Sequence, residues 1–202
     1  MTKTITRLFD NYAEAAEAIR ELEAIGIPRD EISVIVNEGR REVAHEGVNA
    51  DGEVTAGTSA GALLGGTGGL LAGLGFLAIP GLGPVVAAGW LAAAAVGAGV
   101  GAVGGAAAGG IVGALRHAGH SEEEAHIYAE GVRRGGVLLS AKVSKEQFDR
   151  ANTAIGVGAV DIGQRAAIYR EEGWSRFDEN LPAYSAEEIE QERARFGLMP
   201  RP

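Results

Sequence analysis

The sequence predicts an α+β protein: a ferredoxin-like split β-α-β sandwich, an inserted Gly/Ala-rich helical hairpin and a C-terminal arm. Three observations carry this prediction. Strand–capped helix–strand patterns stand at both ends of residues 4–165. The 62 residues from Val54 to Leu115 carry no charge and hold 19 of the 32 glycines. Within that stretch glycine recurs at every fourth position, five times on each side of a six-residue turn.

The first β-α-β half is residues 1–37. Thr4 to Phe9 alternate and read as a strand. Asp10 or Asn11 caps a helix in which Tyr12, Ala16, Ile19 and Leu22 keep helical spacing. Gly26 ends it and Pro28 follows, where a helix cannot continue. Glu31 to Val36 is the second strand. Residues 38–56 are polar and charged and read as a linker.

The hairpin occupies 57–118. Its first ladder is Gly57, Gly61, Gly65, Gly69 and Gly73; its second is Gly97, Gly101, Gly105, Gly109 and Gly113. The turn is Ile79-Pro80-Gly81-Leu82-Gly83-Pro84, with Pro80, Gly81, Gly83 and Pro84 as its defining residues. Glycine at i, i+4 lays bare backbone along one helix ridge, so a second helix can approach closely. The ladders therefore read as an oligomer interface.

The second half is 119–165. Ser121 with Glu124 forms a capping box for a helix whose apolar face is Ala125, Tyr128, Ala129 and Val132. Gly135-Gly136 stops it and Val137 to Val143 is a third strand. Ser144 with Gln147 starts another helix, with Phe148, Ala151 and Ile155 buried, and Ala159 to Ile162 reads as a short fourth strand. The strand–helix–strand units 4–36 and 137–162 pair into a four-stranded antiparallel sheet with both helices on one face. The other face and the edges are left for an oligomer partner. The arm, 166–202, holds Tyr169, Trp174, Phe177, Tyr184 and Phe196, five of eleven aromatics, and Ser185 with Glu188 caps a short helix. Trp174, Phe177, Tyr184 and Phe196 make it a docking arm, on its own domain or on a neighbour.

Three stretches resemble the bacterial general stress protein (YflT-type, heat-induced) domain family. They are Leu8-Phe9-Asp10 with the Ala-rich helix and Asp30-Glu31-Ile32-Ser33-Val34; Leu74-Gly75 through Pro84; and Glu124-Ala125 with Tyr128 and Gly131-Val132-Arg133-Arg134-Gly135-Gly136-Val137. The resemblance covers roughly 4–165 and implies induction under stress. It brings no catalytic residues.

Arm one of the hairpin, 57–79, spans roughly 34 Å as a helix, and arm two, 85–115, roughly 46 Å. A bilayer core is about 30 Å thick. The leading reading is a membrane-inserted hairpin in the cytoplasmic membrane with a cytoplasmic domain. The counterweight is weak hydrophobicity: the eight Leu, Ile and Phe residues of arm one supply only about −4 kcal/mol. The alternative is a cytoplasmic, self-assembling structural protein with hairpins buried between subunits. A small-molecule module using the sheet face is a third reading, and no polar concave face supports it.

The net charge is −9 without a basic stripe, which argues against nucleic acid and anionic lipid headgroups as ligands. The N-terminus has no signal-peptide pattern, and without cysteine there is no thiol chemistry. Gly99-Val-Gly101-Ala-Val-Gly104 matches a dinucleotide fingerprint only as a string, because no strand precedes it. His117, His120 and His126 with Glu123 and Glu124 read as a polar collar rather than a metal site. No cofactor, metal, catalytic set or small-molecule substrate is expected. The expected partners are the chain itself and a lipid bilayer.

Overall fold

The computed structural model describes residues 2–37, 75–79, 81–100 and 110–197. The elements are β1 (Thr2–Phe9), α1 (Tyr12–Ala24), β2 (Ile32–Asn37), β3 (Gly75–Ile79), β4 (Gly83–Ala88), α2 (Trp90–Val100) and α3 (Gly110–His117). There follow α4 (Glu122–Arg133), β5 (Val137–Ser144), α5 (Phe148–Ala154), α6 (Ile162–Glu171) and α7 (Ala186–Gly197). The architecture is mixed α+β. Among the described residues one antiparallel sheet runs in the order β1-β5-β2-β4-β3.

The sheet is covered on both faces. One face meets α1 and α5: Ile5, Val34, Leu139 and Ala141 pack with Ala15, Ile19 and Leu22 of α1 and Ala151 of α5. These are the two helices expected to share a face. The opposite face, expected to stay open for a partner, is covered by the chain itself. There Leu8, Ile35 and Leu138 pack with Leu91 and Ala95 of α2, Ile111 and Leu115 of α3, and Tyr128 and Val132 of α4.

The inserted segment departs from a helical hairpin. Residues 75–79 and 83–88 are strands that extend the sheet beyond β2, with Val36 opposite Val86 and Leu77 opposite Val85. The tight turn explains it: the Leu82 amide bonds the Ile79 carbonyl at 3.0 Å and Gly81 sits at φ 75°. That is the positive-φ third position of a type II turn, which Pro-Gly favours. Ile79, Val85 and Val86 are β-formers, and the first two are buried at 2% and 0% exposure.

Arm two is likewise not one continuous helix. Ala92 and Ala95 of α2 share an apolar cluster with Ile111 and Ala114 of α3, which a straight helix over 85–115 would hold far apart. Gly97 lies in α2, Gly113 in α3, and Gly83 and Pro84 in β4. Gly57, Gly61, Gly65, Gly69, Gly73, Pro80, Gly101, Gly105 and Gly109 lie outside the described residues. No helix among the described residues is long and apolar enough to cross a membrane.

The expected fourth strand is not formed. Asp161 caps α6 by accepting the Gln164 amide at 3.0 Å, so the chain turns into a helix at Ile162. Only the Val160 amide joins the outer edge of β1, bonding the Leu8 carbonyl at 2.8 Å. The boundary placed at 165/166 falls inside α6.

Candidate functional site: the two ends of helix α4

Helix α4 begins with the expected capping box. Ser121 Oγ accepts from the Glu124 amide at 3.2 Å, and Glu124 Oε2 accepts from the Ser121 amide at 3.0 Å. It ends in a Schellman motif: the Gly136 amide bonds the Gly131 carbonyl and the Gly135 amide the Val132 carbonyl, each at 2.9 Å. Gly135 takes the left-handed conformation at φ 93°. A Cβ at Gly131 would stand 2.4 Å from Leu8 Cδ2, so glycine there lets the helix sit against β1.

At the N-terminal end polar groups converge on Thr6 of β1. His120 Nε2 lies 2.7 Å from Thr6 Oγ1, which lies 2.9 Å from Ser140 Oγ on the paired strand. The Thr6 carbonyl accepts from the Tyr128 hydroxyl at 2.9 Å and from Arg7 Nη1 at 2.8 Å. Arg7 Nη2 continues to Asn152 Oδ1 at 2.6 Å. Carbonyls two residues apart share a strand edge. The Thr6 and Leu8 carbonyls, where a fourth strand would pair, are thus satisfied by side chains and one amide.

Glu124, His120, Thr6 and Ser140 follow one another in the order of a carboxylate–imidazole–hydroxyl relay. The His120 Nδ1 to Glu124 contact is long, at 4.0 Å. Thr6 and Ser140 are 1% and 0% exposed, so no reactant reaches either hydroxyl in this conformation. The arrangement fastens α4 to the sheet. Burial lowers the His120 pKa below its ordinary 6.5; Glu124 opposes the shift and Arg7 adds to it. The Glu124 carboxyl is itself held down by the Ser121 amide and hydroxyl.

At the C-terminal end the groups are ions. Glu130, 0% exposed, accepts from Arg133 Nε at 2.9 Å, Arg133 Nη2 at 2.7 Å and Arg134 Nε at 2.7 Å. Arg134 Nη1 reaches Glu172 at 2.7 Å and Glu192 at 3.4 Å. Its guanidinium lies over the Tyr169 ring at 4.1 Å, and the Arg133 guanidinium over Tyr184 at 5.1 Å. Nearby, Arg165 clamps both oxygens of Asp10 at 2.9 and 3.0 Å and stacks on Phe196 at 3.6 Å. Burial pushes the Tyr169 phenol up to about 12.

This end is where the arm docks, on its own chain. Phe196 is 5% exposed and meets Tyr169 edge-on at 6.2 Å; half-buried Trp174 meets it at 5.8 Å. Half-buried Tyr184 lies between the two arginines and solvent. Phe177 enters the core cluster against Gly81, where a Cβ would stand 2.6 Å from its ring. Ile189 sits on Gly135, where a Cβ would stand 2.3 Å from Cγ2.

The histidines do not gather. His117 ends α3 and is exposed, while His120 precedes α4 and turns onto Thr6. Among the described residues no group of three or more His, Asp or Glu side chains could hold a metal ion. Sequence reasoning gave Glu130 and Asp10 with Arg165 no part in a site. The spacing of Glu130 with Arg133 and Arg134 is a readable helical pattern. The contacts to Glu172 and Glu192 have no local signature. No protein-family model matches the chain, and comparison with curated proteins and with solved structures finds no match either.

Proposed function

We propose that this protein is a non-catalytic assembly protein: a ferredoxin-like split β-α-β core that carries a glycine-ladder segment and associates with copies of itself through it. The observation that supports this reading is the packing of α2 against α3. Ala92 and Ala95 share one apolar cluster with Ile111, Ala114 and Leu115, so helices drawn from the uncharged stretch meet with alanine on both sides. Laid along one helix ridge, the ladder Gly57 to Gly73 would give a second chain the same close approach. The order β1-β5-β2, with β5 antiparallel to both neighbours, supports the split β-α-β reading of the core. The stress association rests on the quoted resemblance alone, and the cytoplasm is the compartment this reading implies.

Soluble assembly takes precedence over a membrane hairpin because Leu82, in the turn that would have to cross, is 0% exposed within the core. Light scattering and negative-stain imaging without detergent test the proposal. Large uniform particles are expected, reduced to smaller species by Gly65→Leu with Gly105→Leu. A monomer overturns the proposal. Protein that sediments with lipid and is released only by detergent replaces assembly with a membrane anchor.

A further inference from the structure

A groove of about 820 Å³ runs between α1 and α5, on the outer side of the layer they form. Its apolar lining includes Ala18, Ile25 and Val157. Val157 is 72% exposed, the most exposed large hydrophobic residue among those described. Its charged lining is one-sided: Glu14, Glu17, Glu21 and Asp149 against Arg150.

The spacing along α1 is regular. Glu14, Ala18, Glu21 and Ile25 follow one another at i, i+4, i+7 and i+11, a single helix ridge of alternating charge and apolar surface. On the other bank stand Asp149 and Thr153 of α5 and Val157 in the turn that follows it. Glu17 and Glu21 form a like-charge i, i+4 pair, which costs the free domain stability, and Arg20 answers only Glu17. The carboxylate-bearing α1 ridge and the apolar floor complement a third helix with basic residues on one stripe and aliphatic residues on the next.

We infer that the groove between α1 and α5 receives a cationic amphipathic helix of a partner protein. Charge decides among occupants. A bilayer surface and nucleic acid are anionic and are repelled by the rim. A second copy of this chain carries a net charge of −9. Its linker 38–56 has five acidic residues against two arginines, so it does not complement the groove. The helix-in-groove mode also covers Val157, which is 72% exposed in the free chain.

The test is fluorescence anisotropy of the full chain with a labelled Leu/Lys amphipathic peptide of about 14 residues, roughly four turns. Its Leu/Glu counterpart is the charge control. Glu17→Lys with Glu21→Lys is expected to weaken binding at least about tenfold, and Val157→Asn about threefold. All three side chains are exposed, so thermal unfolding and circular dichroism should stay at wild-type values. Glu187→Lys with Glu190→Lys on α7 makes the same change of net charge and should leave binding unchanged. Equal weakening by the α7 pair overturns the proposal in favour of long-range attraction. So does equal binding of the Leu/Glu peptide, or no binding at all.

Discussion

At its N-terminal end α4 is tied to β1 through one imidazole and hydroxyls, and at its C-terminal end to the arm through carboxylates and guanidiniums. Both ends hold buried polar groups, Thr6 and Ser140 at one and Glu130 at the other. The neutral end satisfies backbone carbonyls on a strand edge. The ionic end fills the space between three helices, where each charge is tolerated because its counter-charge is within hydrogen-bond reach. A neutral network can lose one partner and keep most of its stability. An ionic network cannot, because the remaining charge is stranded in a medium that solvates it badly.

The largest expected effect follows from that asymmetry. Glu130→Ala leaves the Arg133 and Arg134 side chains, 8% and 7% exposed, without their shared acceptor. Breaking such a buried pair costs about 3–5 kcal/mol. Urea unfolding should show the loss, and a cost below about 0.5 kcal/mol, typical of surface positions, would break the comparison. Next comes Gly135→Ala. It strains a residue at φ 93° and drives a Cβ into Ile189, a stiff β-branched side chain. About 1–3 kcal/mol is expected, with faster proteolysis in residues 172–197 and little change in β1. Wild-type protection of the arm would mean that α7 is not held at this glycine. A smaller loss belongs to the neutral end: Thr6→Val leaves Ser140 Oγ and His120 Nε2 without their shared hydroxyl. About 1–2 kcal/mol is expected by thermal unfolding. A loss equal to that of Glu130→Ala would erase the distinction between the two ends.

The legible parts of this molecule were local ones. Three Ser-to-Glu or Ser-to-Gln boxes were readable: Ser121–Glu124 and Ser185–Glu188 form at their helix starts, whereas Ser144 and Gln147 bond each other in the turn before α5, whose N-cap Gln147 makes no side-chain cap bond. Asn11, one of two candidates, caps α1. A capping box is written within four residues, so no tertiary fact is needed to see it. The uncharged stretch was not legible in the same way. Gly and Ala fit a helix ridge and a strand pleat alike in pattern, and the strand-turn signal of Pro80-Gly81 with Val85-Val86 lies inside the ladder register. The fourth strand failed because Asp161 could serve as a helix cap as readily as it could end a strand. The ionic end was half-legible. Glu130 and the two arginines share a helix face, but Arg134 meets Glu172, and Asp10 meets Arg165, across separations that only the fold supplies. The aromatic arm is legible as a docking element from its composition; its docking surface, the Arg133-Arg134-Gly135-Gly136 run, reads in the sequence only as a helix stop and a family likeness.

The smallest effect separates the two ends by pH. Burial lowers the folded-state pKa of His120 below the ordinary 6.5, with Glu124 opposing and Arg7 adding to the shift. As pH falls, the unfolded chain therefore takes up the proton first. The contribution of neutral His120 to stability is complete above about 6.5 and is lost as pH falls through the folded-state value. The groups facing it are Thr6 and Arg7 from β1 and Glu124 and Tyr128 from α4; the Glu124 carboxyl is held below its ordinary value by Ser121 and the Tyr128 phenol is pushed up by burial, so both titrate away from the window between pH 7.5 and 5.5. The Tyr169 phenol at the other end, near 12, is silent there too. Urea midpoints at pH 7.5 and 5.5 should fall for the wild type and stay level for His120→Gln, while protease resistance of the arm holds at both values. A parallel fall in both proteins would move the titrating group elsewhere. Loosening of the arm at pH 5.5 would show that the two ends of α4 are coupled, so that protonating the imidazole at one end reaches the guanidiniums at the other.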